Sequence, residues 1–154
     1  ADSGRIQDIA LYTGNDDHII GDLLATYRFG SAEVSITGGL LGQWDVWTSP
    51  AARYFAECRK ARGTRSRPAE LLTLDTQVTD ANAALFDAAF GFKGCIAGIQ
   101  YVLAQQGLLA GRWTLDPDED LSPGQAQEIE RVRRSYPHLL DDAFISEHLD
   151  EWLS

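Results

Sequence analysis

The ten residues Leu11-Tyr12-Thr13-Gly14-Asn15-Asp16-Asp17-His18-Ile19-Ile20 constrain the fold of this chain more than any other stretch. The apolar run from Ile9 to Tyr12 reads as a buried strand. It stops at Gly14, and the carboxylates Asp16 and Asp17 follow at once. From Ile19 the pattern becomes that of an amphipathic helix, with Ile19, Ile20, Leu23, Leu24 and Tyr27 on one side. Strand, glycine, acidic turn and helix is how an α/β protein presents polar groups at the C-terminal edge of its sheet. An α/β fold is therefore expected, with its chemistry at that edge.

The chain has 154 residues, about one domain's worth, and an ordinary apolar content, so a sizeable core can form. Its formal net charge is −10. That excess argues against non-specific binding to nucleic acid or to an acidic membrane, both of which need a basic surface. The negative charge is scattered, richest from Asp116 to Glu151, and reads as solubility. Cys58 and Cys95 each fall within a helical pattern and read as small buried thiols. Neither has a second cysteine at metal-ligand spacing, so no zinc site is expected. A disulfide between them stays open, and a reducing cytoplasmic compartment is the simpler expectation. Residues 1–20 lack the basic and apolar regions of a signal peptide, and no apolar run approaches a membrane span.

Glu33-Val34-Ser35-Ile36-Thr37 alternates and is β-branched, which predicts a second strand. Gly38-Gly39-Leu40-Leu41-Gly42 continues it, and glycines there imply a crowded strand end or close approach by a ligand. Pro50 opens a helix over about 51–61, and Gly63 ends it. Arg59, Lys60, Arg62, Arg65 and Arg67 cluster at its C-terminus, where cations complement the helix dipole. The rest reads as helices: 68–75, 79–90, 94–106, one beginning at Ser122-Pro123-Gly124-Gln125, and 139–153. Ser122 is expected to cap, Pro123 to take the first helical position, and Gln125 to reach back as in a capping box. The boundaries are a βα region over 1–66 and a helical region over 67–154. Two βα units cannot close a parallel sheet, so the chain reads as part of something larger or as half of an assembly.

Asp16 and Asp17 are adjacent, so their side chains diverge and make a poor general acid–base pair. One is expected to cap the following helix, and the other to accept hydrogen bonds from a hydroxylated ligand. Asp16, Asp17 and His18 do not suit a metal, because three consecutive residues rarely converge on one ion. Gln43 is a candidate polar contact, while Trp44 and Trp47 read as core or interface aromatics. The only lysines, Lys60 and Lys93, do not sit at a strand end and are poor Schiff-base candidates. Nucleophile-elbow, P-loop and dinucleotide fingerprints are lacking.

The order of these parts resembles one family. Tyr12-Thr13-Gly14-Asn15-Asp16-Asp17, the run Gly38 to Gln43, and Pro50 with its helix carry the likeness. Asn82-Ala83-Ala84-Leu85-Phe86, the run Gly94 to Leu103, and Gln106-Gly107-Leu108 leading to Leu121-Ser122-Pro123 extend it. Together they are similar to the C-terminal half of the dihydrodipicolinate synthase / N-acetylneuraminate lyase family. The resemblance implies the last two βα units of a (β/α)8 TIM barrel, strands seven and eight, followed by a helical extension. It implies class I aldolase or hydro-lyase chemistry, in which a lysine imine forms with pyruvate or another 2-oxo acid, without a cofactor or metal. Gly14, Asp16 and Asp17 would hold substrate hydroxyls, as would Gln43 beside Gly42, with Gly39 and Gly42 leaving room. The Schiff-base lysine would lie upstream of Ala1, because Asp2-Ser3-Gly4 looks like the tail of the motif that follows it. This chain alone would then be inactive. The partners implied are 2-oxo acid and aldehyde substrates, and further copies in a homo-oligomer (dimer or tetramer). Two other readings stand beside it. One is a split barrel completed by a second chain that carries the lysine. The other is a non-catalytic interaction or regulatory protein. The sequence departs from the family at Tyr27 to Thr37, which is longer and more polar, and between Gly4 and Ile9, which is too short for a sixth helix.

Overall fold

The structure, a computed structural model, describes residues 5, 8–64 and 66–154. The expectations for Asp2-Ser3-Gly4 and for Arg65 lie outside the described residues. The fold is mixed α/β, with a small sheet and a majority of helix. It divides into two compact units, Ala1–Leu41 with Arg53–Thr79, and Gly42–Ala52 with Asp80–Ser154.

The first unit carries the sheet. Strand β1 (Leu11–Thr13) leads through the acidic turn into helix α1 (Ile19–Leu24). Strand β2 (Thr26–Phe29) and strand β3 (Ala32–Gly39) follow. The strand order is β1-β3-β2. β1 runs parallel to β3, pairing Leu11 with Ile36 and Thr13 with Gly39, and β2 runs antiparallel to β3 from Thr26↔Ser35 to Phe29↔Ala32. The parallel pair and the helix between its strands form the expected βα arrangement. Helix α1 is held by burial: Ile19 and Ile20 are 0% exposed, and Leu23 and Leu24 nearly so. Side chains of that size each contribute about 2 kcal/mol on leaving water.

Two expectations need correction here. The run Ile9 to Tyr12 is not a buried strand, because Ile9, Leu11 and Tyr12 are all exposed and β1 lies at the edge of the sheet. Tyr27 does not continue the stripe of α1. The helix stops at Leu24, since Ala25 turns to an extended ψ of 148°, and Tyr27 enters β2. Gly30, at φ 62°, and Ser31 make the two-residue loop of the β2–β3 hairpin.

Helix α2 (Thr48–Arg62) has Pro50 in its first turn. Its C-terminal arginines are used inside this unit. Arg62 donates to the carbonyls of Leu23 and Ile36, and Arg67 to those of Ala61 and Leu24. Arg62 and Arg67 therefore serve carbonyls at the C-terminal ends of α1 and α2 and one inside β3.

Residues 68–75 and 79–90 do not form separate helices. They merge into helix α3 (Ala69–Phe86), followed by a short 3-10 turn at Ala88–Phe90. No glycine or proline interrupts that span, and Thr76, Val78 and Thr79 lower helix propensity by only tenths of a kcal/mol each. Leu71, Leu74 and Val78 are buried along its first half.

The second unit is helical. It contains a 3-10 turn at Gly42–Asp45, helix α4 (Cys95–Gln105), helix α5 (Gln125–Ser135), a 3-10 turn at Pro137–Leu139 and helix α6 (Asp142–Trp152). Trp47, Ala81, Leu85, Ala97, Val102, Ile129, Val132 and Leu139 are buried in it. The expected capping box at Ser122 is half formed. Gln125 Oε1 accepts the Ser122 N–H at 3.1 Å, but Ser122 Oγ donates to Asp87 at 2.6 Å instead of capping. The helix begins at Gln125 and not at Pro123, after Gly124 at φ 86°.

Asp80 on α3 receives both guanidinium nitrogens of Arg131, at 2.8 and 2.9 Å, and the hydroxyl of Tyr136 at 2.8 Å. The hydrogen bonds from Arg131 hold its carboxyl below the usual range, with the Tyr136 hydroxyl adding to the effect. The unfolded chain binds that proton more readily, so the stabilisation is whole above the ordinary carboxylate range. It is lost as pH falls through the lowered value. Asp80→Asn is therefore expected to flatten the acid limb of stability below the ordinary carboxylate range, read by urea midpoints at several pH values. An unchanged acid limb would mean that this network contributes nothing.

Candidate functional site

The C-terminal edge of β1 is organised by short polar contacts. Thr13 Oγ1 donates to Asp22 Oδ2 at 2.6 Å and accepts the Asn15 N–H at 3.2 Å. Asn15 Nδ2 donates to the same Asp22 oxygen, and Asn15 Oδ1 accepts the Asp17 N–H at 3.1 Å, an Asx turn. Thr79 Oγ1 on α3 donates to the Asp17 carbonyl at 2.8 Å. Leu40 N–H donates to the Thr13 carbonyl at 2.9 Å, which fixes the end of β1 against the residue after β3. A Cβ added to Gly14 would meet only the Leu40 carbonyl, at 3.8 Å, so this glycine faces open space.

Asp16 is half-buried and Asp17 exposed. Burial first, and then the neighbouring Asp17 charge, push the Asp16 carboxyl above its ordinary value. The expectation that one of these acids caps α1 is not met. The N-cap residue is His18, without a side-chain cap. The capping acceptor comes instead from 54 positions along the chain. Asp75 Oδ1 on α3 takes the N–H of Gly21 at 3.1 Å, while Asp75 Oδ2 pairs with His18 Nδ1. Sequence spacing gives no sign of Asp75. The carboxylates of Asp16 and Asp17 are thereby left without a structural task among the described residues.

The remaining expected positions are occupied by protein. A Cβ on Gly39 would lie 3.0 Å from Ile19 and 3.3 Å from Thr13. Gly38 receives the ring of Tyr12, whose hydroxyl donates to the Gly39 carbonyl at 2.9 Å. Gly42, in the second unit, is covered by Phe86, 1.6 Å from where a Cβ would stand. Gln43 is only 3% exposed. Its N–H donates to Asn82 at 3.3 Å, and its Oε1 is buried without a partner. Gly14, Asp16, Asp17 and Gly39 belong to the first unit, and Gly42 and Gln43 to the second. Trp47 is core, as expected.

Other chemistry-bearing groups are quieter. Lys60 lines a cleft of about 490 Å³ with Glu57, Glu70, Arg67 and Leu71 in the first unit. Lys93 is exposed in the loop before α4. Burial, helped by Glu57 and Asp75, pushes the Cys58 thiol up to about 11, so it stays protonated at neutral pH. No disulfide joins the two cysteines; Cys58 is buried, as expected, and Cys95 only partly so. Among the described residues no group of three or more His, Cys, Asp or Glu is arranged to hold a metal ion, and no helix is long and apolar enough to cross a membrane. No family model, curated protein or solved structure matches this chain.

Proposed function

We propose that this chain is the C-terminal half of a Schiff-base aldolase-type lyase, similar to the dihydrodipicolinate synthase / N-acetylneuraminate lyase family. In this reading β1 and β3 are the seventh and eighth strands of a (β/α)8 barrel and the helices after α2 are its extension, while β2, antiparallel on the edge of β3 where the first strand of such a barrel would pair, departs from that pattern. The turn Gly14-Asn15-Asp16-Asp17 orients the hydroxylated end of the substrate. The reactive lysine belongs to polypeptide outside this sequence, and assembly involves further copies or a second chain in the cytoplasm.

The observation that carries the reading is the pair of uncommitted carboxylates. Asp16 and Asp17 sit at the C-terminal end of a strand paired in parallel with its neighbour, where such sheets bind ligands. The turn is braced by Thr13, Asn15, Asp22 and Thr79, partly through the Asp17 backbone, yet neither carboxyl group of Asp16 or Asp17 serves that bracing. The exposed Leu11 and Tyr12 on edge strand β1 fit a sheet that another strand would cover.

Binding of N-acetylneuraminate, a hydroxylated 2-oxo acid, tests this by calorimetry. Asp16→Ala and Asp17→Ala are each expected to weaken it about tenfold, the worth of one charged hydrogen bond. Unchanged binding in both variants, or none to the unaltered chain, would contradict the reading. The non-catalytic alternative is favoured by one observation: Ile19 and Phe86 fill the space at Gly39 and Gly42.

A further inference from the structure

Trp113 is 74% exposed, on the connection that joins the end of α4 to the start of α5. A tryptophan is seldom left in water to that extent, because its ring gains so much from burial. Among the described residues its Nε1 has no hydrogen-bond partner and its ring packs on no other ring. The indole is nevertheless seated. Three successive atoms of its six-membered ring, Cε2, Cζ2 and Cη2, stand 2.8 to 3.1 Å from where a Gly111 Cβ would be. Distances so nearly equal place the glycine over the flat of the ring and not at its edge. Gly111 is not one of the left-handed glycines, so what it supplies is room. One face of the indole rests on backbone, and the opposite face is open.

That open ring is one wall of a cleft of about 480 Å³, a size usual for small-molecule sites. Pro117, Arg112, Glu119 and Asp120 line it too. The loop is closed on itself by the Thr114 hydroxyl, 2.6 Å from the Asp116 carbonyl and 2.7 Å from that of Glu119. Asp120 Oδ1 is already committed, to Arg112 Nη1 and to the Leu121 N–H at 2.7 Å. Arg112 keeps further N–H groups to donate. The Glu119 carboxylate is half-buried and has no partner among the described residues.

These groups select a ligand class. An anion would meet Glu119 and Asp120, and an organic cation would meet the Arg112 guanidinium. What the cleft offers is a flat apolar face, free N–H donors and a free carboxylate acceptor. A neutral pyranose ring matches all three. Its C–H bonds can lie on the indole while the hydroxyls around its rim donate and accept.

We propose that Trp113, Arg112 and Glu119 form a binding site for a neutral pyranose sugar within the second unit. Trp113 is the stacking platform, and Gly111 is the positioning residue beneath it. The proposal goes beyond the functional reading above and does not depend on it.

Methyl glucoside, galactoside and mannoside, in both anomers, are titrated into the full chain while its four tryptophan indole N–H resonances are followed by 1H–15N correlation. Trp113→Ala identifies the Trp113 signal. At least one pyranoside is expected to shift that signal saturably, and Trp113→Ala to weaken its binding at least about tenfold. Trp113→Phe keeps a smaller platform and should restore part of the loss. Gly111→Ala, which lifts the ring from its seat, and Glu119→Ala should each weaken binding about tenfold. Sorbitol has the hydroxyls without the ring face and should not compete. A silent Trp113 signal with every pyranoside would overturn the proposal, as would an equal response to sorbitol or unchanged binding by Trp113→Ala. A larger saturable shift with choline than with any sugar would also overturn it, and would assign the cleft to an organic cation.

Discussion

Replacing Gln125 with alanine is expected to remove about 3–4 kcal/mol of stability. The side chain is 3% exposed. Its Nε2 donates to the carbonyls of Leu85 at 3.1 Å and Gly94 at 2.9 Å, while its Oε1 accepts the Ser122 N–H at 3.1 Å. Those carbonyls belong to the end of α3 and the start of α4, so one amide joins both to the first turn of α5. Truncation strips the amide from the Leu85 carbonyl in a dry site, leaves the Gly94 carbonyl with the Gly98 N–H alone, and opens a cavity. Urea unfolding followed by tryptophan fluorescence would show the midpoint fall with little change in slope. A loss below about 1 kcal/mol would mean that water reaches these groups.

Gly98→Ala is expected to cost about 3 kcal/mol, at the upper end for overpacking, because the methyl group meets backbone. Its Cβ would stand 2.2 Å from the Leu85 carbonyl oxygen and 2.7 Å from Gln125 Nε2. A carbonyl within a helix cannot swing away as a side chain can, so α4 must separate from the end of α3. The same urea experiment measures the loss. The double variant with Gln125→Ala should lose less than the sum, since removing the amide relieves one of the two collisions. Strict additivity would indicate that the two sites do not share the crowded space that their distances describe.

The elements with one strong local signal were legible in the sequence. The switch of period after Gly14 marks β1 and α1, and the apolar spacing and end residues mark α2, α4, α5 and α6 to within a few positions. The β2–β3 hairpin was not read, although its signal was present. Thr26-Tyr27-Arg28-Phe29 is β-branched and aromatic, and Gly30-Ser31 suits a two-residue loop. Tyr27 also continues the helical stripe of Leu23 and Leu24, and a helix of only six residues ends sooner than that stripe suggests. Exposure on β1 was misjudged for a related reason. Periodicity identifies an apolar strand, but only the sheet order reveals that Leu11 and Tyr12 stand at an edge.

The candidate site was legible only where it is local. Asp16 and Asp17 stand at a strand end, as the turn implies. What frees them from capping is Asp75, 54 residues from Gly21, and no local pattern announces a contact of that kind. The run Gly38 to Gly42 implies either crowding or close approach by a ligand, and the family likeness has Gly39 and Gly42 leave room; the structure fills that space with Tyr12, Ile19 and Phe86 of the chain itself. A glycine in a sequence does not say whether the space beside it is filled, as at Gly39, or open, as at Gly14.

The proposed division of labour puts the reactive amine outside this polypeptide, with Asp16 and Asp17 serving it from the strand end. Lys60 and Lys93 are the only lysines present. Incubating the chain with pyruvate and sodium borohydride, then measuring its intact mass, tests this most directly. The expected result is an unchanged mass under conditions that label a known Schiff-base aldolase. A stable pyruvyl adduct on Lys60 or Lys93 would contradict it, because the chain would then hold its own imine-forming amine.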